Sequence, residues 1–119
     1  MTTAKILVVD GNFNTRVALR QALIFFGAVK ENIRAEKNLD TIKAIGRDFQ
    51  PQIVLLDEGM GTDAIRILKG TVQFILICSP SSEDILTIAS KMGVEVFVSK
   101  PYSQIQIGDA LKKVMQKIS

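Results

Sequence analysis

Apolar residues recur along the chain in two alternating patterns. Short and nearly continuous apolar runs are separated by stretches in which apolar residues return at helical spacing, an alternation typical of βα units. Three of the runs consist almost entirely of Val, Ile and Leu, which predicts parallel strands buried on both faces. The predicted strands are residues 5–10, 33–36, 52–57, 73–78 and 94–99, and the second of them is the weakest.

The stretches between these strands carry helix start and stop signals. Gly27 follows the first stretch as a stop signal, and Asn38 is a suitable N-cap for the second. Ser103 and Gln106 resemble a capping box before the last. The predicted helices are residues 15–26, 39–49, 62–69, 82–92 and a final segment after Ser103, of which the third is short. The order (βα)5 predicts a doubly wound α/β fold with one five-stranded parallel sheet, because crossovers between parallel strands are right-handed.

The composition is that of a single globular domain, which we expect to span residues 1–119. Hydrophobic residues make up 47% of the chain and charged residues 23%, as in ordinary folded domains. The net charge of +3 comes without a basic stripe interleaved with aromatic residues, so we expect no nucleic-acid binding. The chain has no histidine, which excludes Ser-His and Cys-His catalysis and histidine-ligated metal sites.

The apolar runs are too short for a membrane protein. None approaches the roughly 20 residues that cross a bilayer, and the first residues do not resemble a signal peptide. The single cysteine, Cys78, cannot form an internal disulfide, which agrees with a reducing compartment. We therefore expect a cytoplasmic protein with no membrane contact.

Polar residues stand where the predicted strands end. Asp10 ends the first strand, Asp57 ends the third, and Ser79 follows the fourth. Lys100 and Pro101 follow the fifth. Because ligand sites in open parallel sheets lie outside the carboxyl ends of the strands, we expect two carboxylates, a hydroxyl and an ammonium to converge on one edge.

With these markers in this order, the whole chain resembles the chemotaxis-type receiver domains of bacterial response regulators. The similar segments are KILVVD at residues 5–10, NTR at 14–16, LLDEGM at 55–60 and FVSKP at 97–101. The resemblance implies a flavodoxin-like receiver fold and a role in two-component phosphorelay signalling. It implies no enzyme beyond magnesium-dependent self-phosphorylation.

The resemblance also implies roles for individual residues. Asp57 matches the aspartate that accepts a phosphoryl group from a histidine kinase, and Lys100 matches the lysine that pairs with that group. Ser79 matches the hydroxyl that moves onto the phosphoryl group, and Phe97 matches the aromatic residue that follows this movement. Pro101 matches the proline after a cis peptide bond, so Lys100–Pro101 is expected to be cis.

A magnesium ion is the implied cofactor. Asp10, Asp57 and the main-chain carbonyl of Gly59 match its ligands, but Gly11 stands where the family has a second acid. Since Mg²⁺ prefers near-octahedral oxygen coordination, we expect a weak or absent metal site. Glu58 is the nearest acid that would replace the missing one, but we expect its side chain to point away.

Two further departures from the family lie near Asp57. Pro80 stands where the family has a small residue whose backbone N–H contacts the phosphoryl oxygens, and proline has no N–H. The loop after Asp57 is short, so that Asp57 and Ser79 are 22 residues apart, roughly two helical turns less than in the family. The three departures together favour a degenerate receiver, or pseudo-receiver.

Three functions remain open at this point. The favoured one is a receiver that acts through protein contacts with impaired phosphoryl chemistry, and the alternative is a fully competent phosphorylated switch. A small nucleotide-binding enzyme is less favoured, because Asp10-Gly11-Asn12 provides only one glycine of a phosphate-binding loop. The resemblance implies that a histidine kinase or another protein binds the face formed by the fourth helix, fifth strand and fifth helix. We expect a monomer or a weak homodimer, and two alternatives stay open: a complete chain without an output domain, or an excised domain of a longer protein.

Overall fold

The computed structural model describes residues 2–68, 70 and 72–118. Strands and helices alternate throughout this part of the chain. The strands are β1 (Ile6–Val9), β2 (Ile33–Glu36), β3 (Ile53–Asp57), β4 (Gln73–Cys78) and β5 (Val96–Ser99). The helices are α1 (Phe13–Phe25), α2 (Ile42–Phe49), α3 (Asp63–Leu68), α4 (Glu83–Lys91) and α5 (Gln104–Ile118). Short 3-10 turns at Lys30–Asn32 and Glu58–Met60 precede β2 and follow β3.

The five strands form one parallel sheet in the order β2-β1-β3-β4-β5. The predicted doubly wound (βα)5 fold is therefore confirmed. Val9 pairs with Leu56 across β1 and β3, and this register places Asp10 level with Asp57 at the carboxyl edge of the sheet. The end of β4 lies on the other side of β3, because Asp57 pairs with Ile77.

Two hydrophobic cores lie on opposite faces of the sheet. Side chains alternate along each strand, so Val8 and Leu55 pack with α1 and α5 on one face. Val9 and Leu56 pack with α2, α3 and α4 on the other. All four side chains are fully buried, which explains why the strands read as continuous apolar runs rather than as alternating patterns.

The helix starts differ from the predictions more than the strands do. α2 begins at Ile42, so the prediction of Asn38 as its N-cap is wrong. The Asn38 side chain instead accepts the Asp40 N–H at 3.0 Å, in a turn before the helix. The predicted capping box of α5 is confirmed, because Ser103 N–H donates to Gln106 Oε1 at 2.7 Å and Gln106 N–H donates to Ser103 Oγ at 3.3 Å.

The third helix is as short as the sequence predicts. α3 contains six residues, Asp63–Leu68, and its predicted last residue, Lys69, lies outside the described residues. Its buried residues, among them Ala64 and Ile65, still close the second core. No helix in the described part of the chain is both long and apolar enough to cross a membrane.

Candidate functional site

Asp57 is the last residue of β3, the central strand of the sheet. Its side chain is only 13% exposed. One carboxylate oxygen, Oδ2, accepts the N–H of Gly59 at 2.8 Å, and the other, Oδ1, lies 2.5 Å from the ammonium nitrogen of Lys100. The Asp57 carboxylate therefore lies between the turn that follows β3 and the ammonium of Lys100, which follows β5.

Lys100 reaches Asp57 from the loop after β5. Its peptide bond to Pro101 is cis, as the sequence resemblance implied. Its N–H donates to the Cys78 carbonyl at 2.8 Å and so fixes the start of this loop against β4. The hydrogen bond to Asp57 raises the pKa of the Lys100 ammonium, and nearby negative charges add to this effect while burial opposes it. Lys100 therefore stays charged at neutral pH.

Asp10 lies just past β1 and is almost completely buried, at 5% exposure. Its Oδ1 accepts the Asn12 N–H at 2.8 Å, and its main-chain carbonyl accepts a hydrogen bond from Arg16 at 2.7 Å. Asn12 in turn caps α1, because its side chain accepts the Thr15 N–H at 2.9 Å. Asp10 is thus fixed by two hydrogen bonds to the start of α1, one from the Asn12 N–H and one from the Arg16 side chain.

These three charged residues share one open cavity of about 610 Å³. It is lined by Asp10, Gly11, Asn12, Thr15, Asp57, Met60, Lys100, Pro101 and Tyr102. The carboxylates of Asp10 and Asp57 and the ammonium of Lys100 give it two negative charges and one positive charge. Such a cavity can accept a cation beside the two acids and an anion beside the lysine.

Ser79 lies at the same edge but outside the lining of this cavity. Its hydroxyl is hydrogen-bonded to the hydroxyls of Ser82 at 2.9 Å and Ser81 at 3.2 Å. Phe97 is half-buried and packs against the core formed with α2, α3 and α4. The structure therefore brings Asp10, Asp57 and Lys100 together, whereas Ser79 and Phe97 occupy neighbouring positions.

Glu58 does not line the cavity that holds Asp10 and Asp57, which agrees with the expectation that its side chain points away from the metal ligands. Glu58 Oε1 accepts the N–H of Ser79 at 2.7 Å. Alternation of side chains holds only within the strand, and the chain leaves β3 at Asp57 to begin a 3-10 turn. The turn swings the Glu58 side chain toward the neighbouring strand β4.

The oxygen donors for a divalent cation are few. No group of three or more Asp, Glu, Cys or His side chains that could bind a metal occurs among residues 2–68, 70 and 72–118. Asp10 and Asp57 face the cavity together, but Asp57 Oδ1 is already paired with Lys100 and Gly11 contributes no side chain. The two carboxylates fit a weak Mg²⁺ site in which water supplies most of the ligands.

Several residues of the cavity lining were not predicted from the sequence, among them Tyr102 and Met60. Tyr102 lines the cavity, and burial, followed by the charge of Asp10, raises the pKa of its hydroxyl. Met60 lines it as well and lies against Gly11, with its methyl group 3.5 Å from where a Cβ of residue 11 would be. Both residues lie within three positions of a predicted site residue, which is the only signal in the sequence that could have indicated them.

Alkaline pH is expected to destabilise the protein through three groups near this site. The pKa of Cys78 is raised by burial and then by the charge of Glu58, and the pKa values of Lys100 and Tyr102 are raised as well. Each group therefore keeps its proton to higher pH in the folded protein than in the unfolded chain. Stability from these groups is fully present at neutral pH and is lost as pH rises above about 8.5, where unfolded cysteine begins to ionise.

Urea unfolding between pH 7 and 10.5 measures this loss. Cys78→Ala is expected to remove the part of the decline that begins at the lowest pH, while the decline above about pH 10 remains. The comparison uses the slope of stability against pH, because the substitution also removes a buried side chain. Identical slopes for the two proteins between pH 8.5 and 10 would contradict the assignment to Cys78.

Comparisons with known proteins extend the geometric picture. No family model matches the sequence. The chain is 26% identical over 122 residues to sporulation initiation phosphotransferase F of Bacillus subtilis (strain 168), covering 97% of this chain and 96% of that protein. Its fold is similar to that of a response regulator receiver domain protein from Clostridium thermocellum, with a TM-score of 0.82, 19% identity and coverage of 96% of this chain and 95% of the other.

A further solved structure, NtrX from Brucella abortus, has a TM-score of 0.85 and 21% identity over 98% of this chain. The match spans only 27% of the NtrX chain. The fold is that of response-regulator receiver domains, and the sequence is similar over nearly its whole length to the phosphotransferase from Bacillus subtilis. Receiver domains are in general signalling modules rather than enzymes.

Proposed function

We propose that this receiver domain acts in phosphorelay signalling through protein contacts, with Asp57 as the phosphoacceptor position and weakened phosphoryl chemistry. The observation that carries the proposal is the ion pair of Asp57 with Lys100, which faces Asp10 across one cavity. This arrangement joins a nucleophile and a cation that could pair with a transferred phosphoryl group. The relative from Bacillus subtilis, named a phosphotransferase, supports the same class of chemistry.

The chemistry requires positive charge beside the nucleophile. When the Asp57 carboxylate attacks phosphorus, a new oxygen–phosphorus bond forms and the bond to the donor breaks, while negative charge stays on the phosphoryl oxygens. Lys100 is placed to offset that charge, since its ammonium already contacts Asp57. A magnesium ion held by Asp10 and Asp57, with the carbonyl of Gly59 as the proposed third ligand, would supply further positive charge.

Three features support weakened transfer. Gly11 leaves Asp10 without an acidic neighbour, so fewer charged ligands are available to a metal ion. Pro80 has no N–H to donate to a phosphoryl oxygen. The N–H of Ser79, one residue earlier, already donates to Glu58. The loop after β4 therefore has fewer free donors for a phosphoryl group.

We place partner binding on the face of α4, β5 and α5. α4 buries Ala89 but leaves Ile88 45% exposed, and Ile105 at the start of α5 is 66% exposed. Phe97 of β5 is half-buried between the core and this face. Exposed apolar side chains on this face favour contact with another protein, such as a histidine kinase or a downstream target.

A fully competent phosphorylated switch is the second candidate. The close contact of Lys100 with Asp57 favours it, because this part of the site is complete. The two candidates differ in the extent of phosphorylation that a small-molecule donor can produce. They also differ in whether that extent becomes complete when Mg²⁺ is abundant.

Incubation with acetyl phosphate and Mg²⁺, followed by intact-mass measurement, separates the two candidates. We expect modification that stays incomplete even when Mg²⁺ is in large excess, and that is lost in Asp57→Asn. Asp48→Asn is the matched control, since Asp48 is an exposed aspartate of α2, and it should be modified like the wild type. Complete, saturable and Asp57-dependent modification would overturn the weakened chemistry and support the competent switch.

A further inference from the structure

A short hydrogen bond links the loops after β3 and β4. Glu58 Oε1 accepts the main-chain N–H of Ser79 at 2.7 Å. Because the acceptor is a carboxylate, the bond is charge-assisted and stronger than one between neutral groups. Residues 79–82, which connect β4 to α4, are here termed the β4–α4 loop.

The β4–α4 loop has few main-chain N–H donors close to β4. The next residue, Pro80, has no N–H, so Ser79 supplies the first main-chain donor of the loop. The Ser79 hydroxyl turns into the loop and is bonded to Ser82 and Ser81. A second tie comes from within the loop, where Ser82 N–H donates to the Ser79 carbonyl at 3.1 Å. The other hydrogen bonds of Ser79 described here lie within the loop, whereas the bond to Glu58 joins Ser79 to the end of β3.

Glu58 also adds a negative charge next to Asp57. Together with Asp57 it raises the pKa of Lys100, and it also raises the pKa of buried Cys78 at the end of β4. Glu58 thus places an anion between the phosphoacceptor position and the β4–α4 loop. An anion at this point can bind a loop donor without any transferred group.

We propose that Glu58 is a positioning residue that latches the β4–α4 loop to the end of β3 and holds it in one conformation without a phosphoryl group. This inference deepens the proposed function and rests on it, because it names the contact that holds the loop beside the phosphoacceptor position when no phosphoryl group is present. The latch consists of the Glu58 carboxylate and the Ser79 N–H. α4 begins directly after this loop, so the latch also fixes the position from which α4 starts.

Amide hydrogen exchange of the unphosphorylated protein, followed by NMR, tests the latch. In Glu58→Ala the Ser79 amide is expected to exchange about tenfold faster or more, because a charge-assisted hydrogen bond is lost. Glu58→Gln keeps an oxygen acceptor without the charge, so it should restore part of the protection. The amide signals of Ser81 and Ser82 should shift in Glu58→Ala as the loop is released.

Two controls separate the latch from a general loss of stability. Glu83→Ala removes an acid from the first turn of α4 and should leave Ser79 protected. The Lys100 amide, which donates to the Cys78 carbonyl, should exchange equally slowly in all variants. Unchanged protection of Ser79 in Glu58→Ala, or equal loss at Ser79 and Lys100, would overturn the latch.

The outcome is independent of the test of the proposed function. No phosphoryl donor is present during exchange, so the Ser79 amide reports on the latch alone. Complete modification by acetyl phosphate together with a protected Ser79 amide would contradict the proposal of weakened phosphoryl chemistry and support the latch. Incomplete modification together with an unprotected Ser79 amide in the wild type would support weakened phosphoryl chemistry and contradict the latch.

Discussion

Leu55→Ala is expected to lower the free energy of unfolding by about 3 to 4 kcal/mol. Leu55 lies in the middle of β3, is fully buried, and pairs with Val8 on one side and Ile75 on the other. Truncation removes three carbon atoms from the core under α1 and α5 and leaves a cavity that neighbouring strands cannot close. A domain of this size has only about 5 to 15 kcal/mol of stability in total.

Urea unfolding at neutral pH measures the change, with Ile105→Ala as the matched control. Both substitutions remove the same number of carbon atoms, but Ile105 is 66% exposed. The control is therefore expected to change stability by no more than about 0.5 kcal/mol. Equal effects of the two substitutions would mean that β3 does not lie at the centre of the sheet.

Gly11→Asp is expected to strengthen Mg²⁺ binding about tenfold or more. The new carboxylate would stand next to Asp10 and opposite Asp57, and a third acid supplies the charged oxygen ligand that the site lacks. The backbone accepts the change, because Gly11 lies outside the left-handed region. A Cβ there would contact Met60 at 3.5 Å and the Lys37 carbonyl oxygen at 3.9 Å, which are ordinary contact distances.

The effect is read from thermal unfolding with increasing Mg²⁺, since a bound ion stabilises the folded state by an amount that rises with the logarithm of its affinity. Tenfold tighter binding corresponds to about 1.4 kcal/mol at saturating metal. Gly11→Asn is the control, because it has nearly the same shape without the negative charge. An equal response of the Asp and Asn variants to Mg²⁺ would contradict the view that a missing acid weakens the metal site.

The Gly11→Asp variant also connects metal affinity with phosphoryl chemistry. If the missing acid limits transfer, modification by acetyl phosphate should become more complete in this variant than in the wild type. Pro80 and the Glu58 contact remain unchanged, so we expect a partial gain.

The sequence by itself determined the architecture, because three of the five strands are nearly continuous apolar runs that require burial on both faces. Residues 33–36 and 73–78 were predicted at the bounds of β2 and β4. Asp10, Asp57 and Lys100 were placed correctly at one edge, since the carboxyl ends of parallel strands must meet there. These conclusions depend on periodicity and order along the chain, which a single sequence contains.

The tertiary structure alone decided contacts that depend on how loops leave the strands. Glu58 reaches Ser79 because a 3-10 turn ends the alternation of β3, and the Ser79 hydroxyl turns to Ser82 and Ser81 rather than into the cavity. α2 begins at Ile42 because packing of its apolar face, rather than the capping preference of Asn38, sets its first turn. The Glu58 contact joins groups on different elements, and local preference carries no information about such pairs.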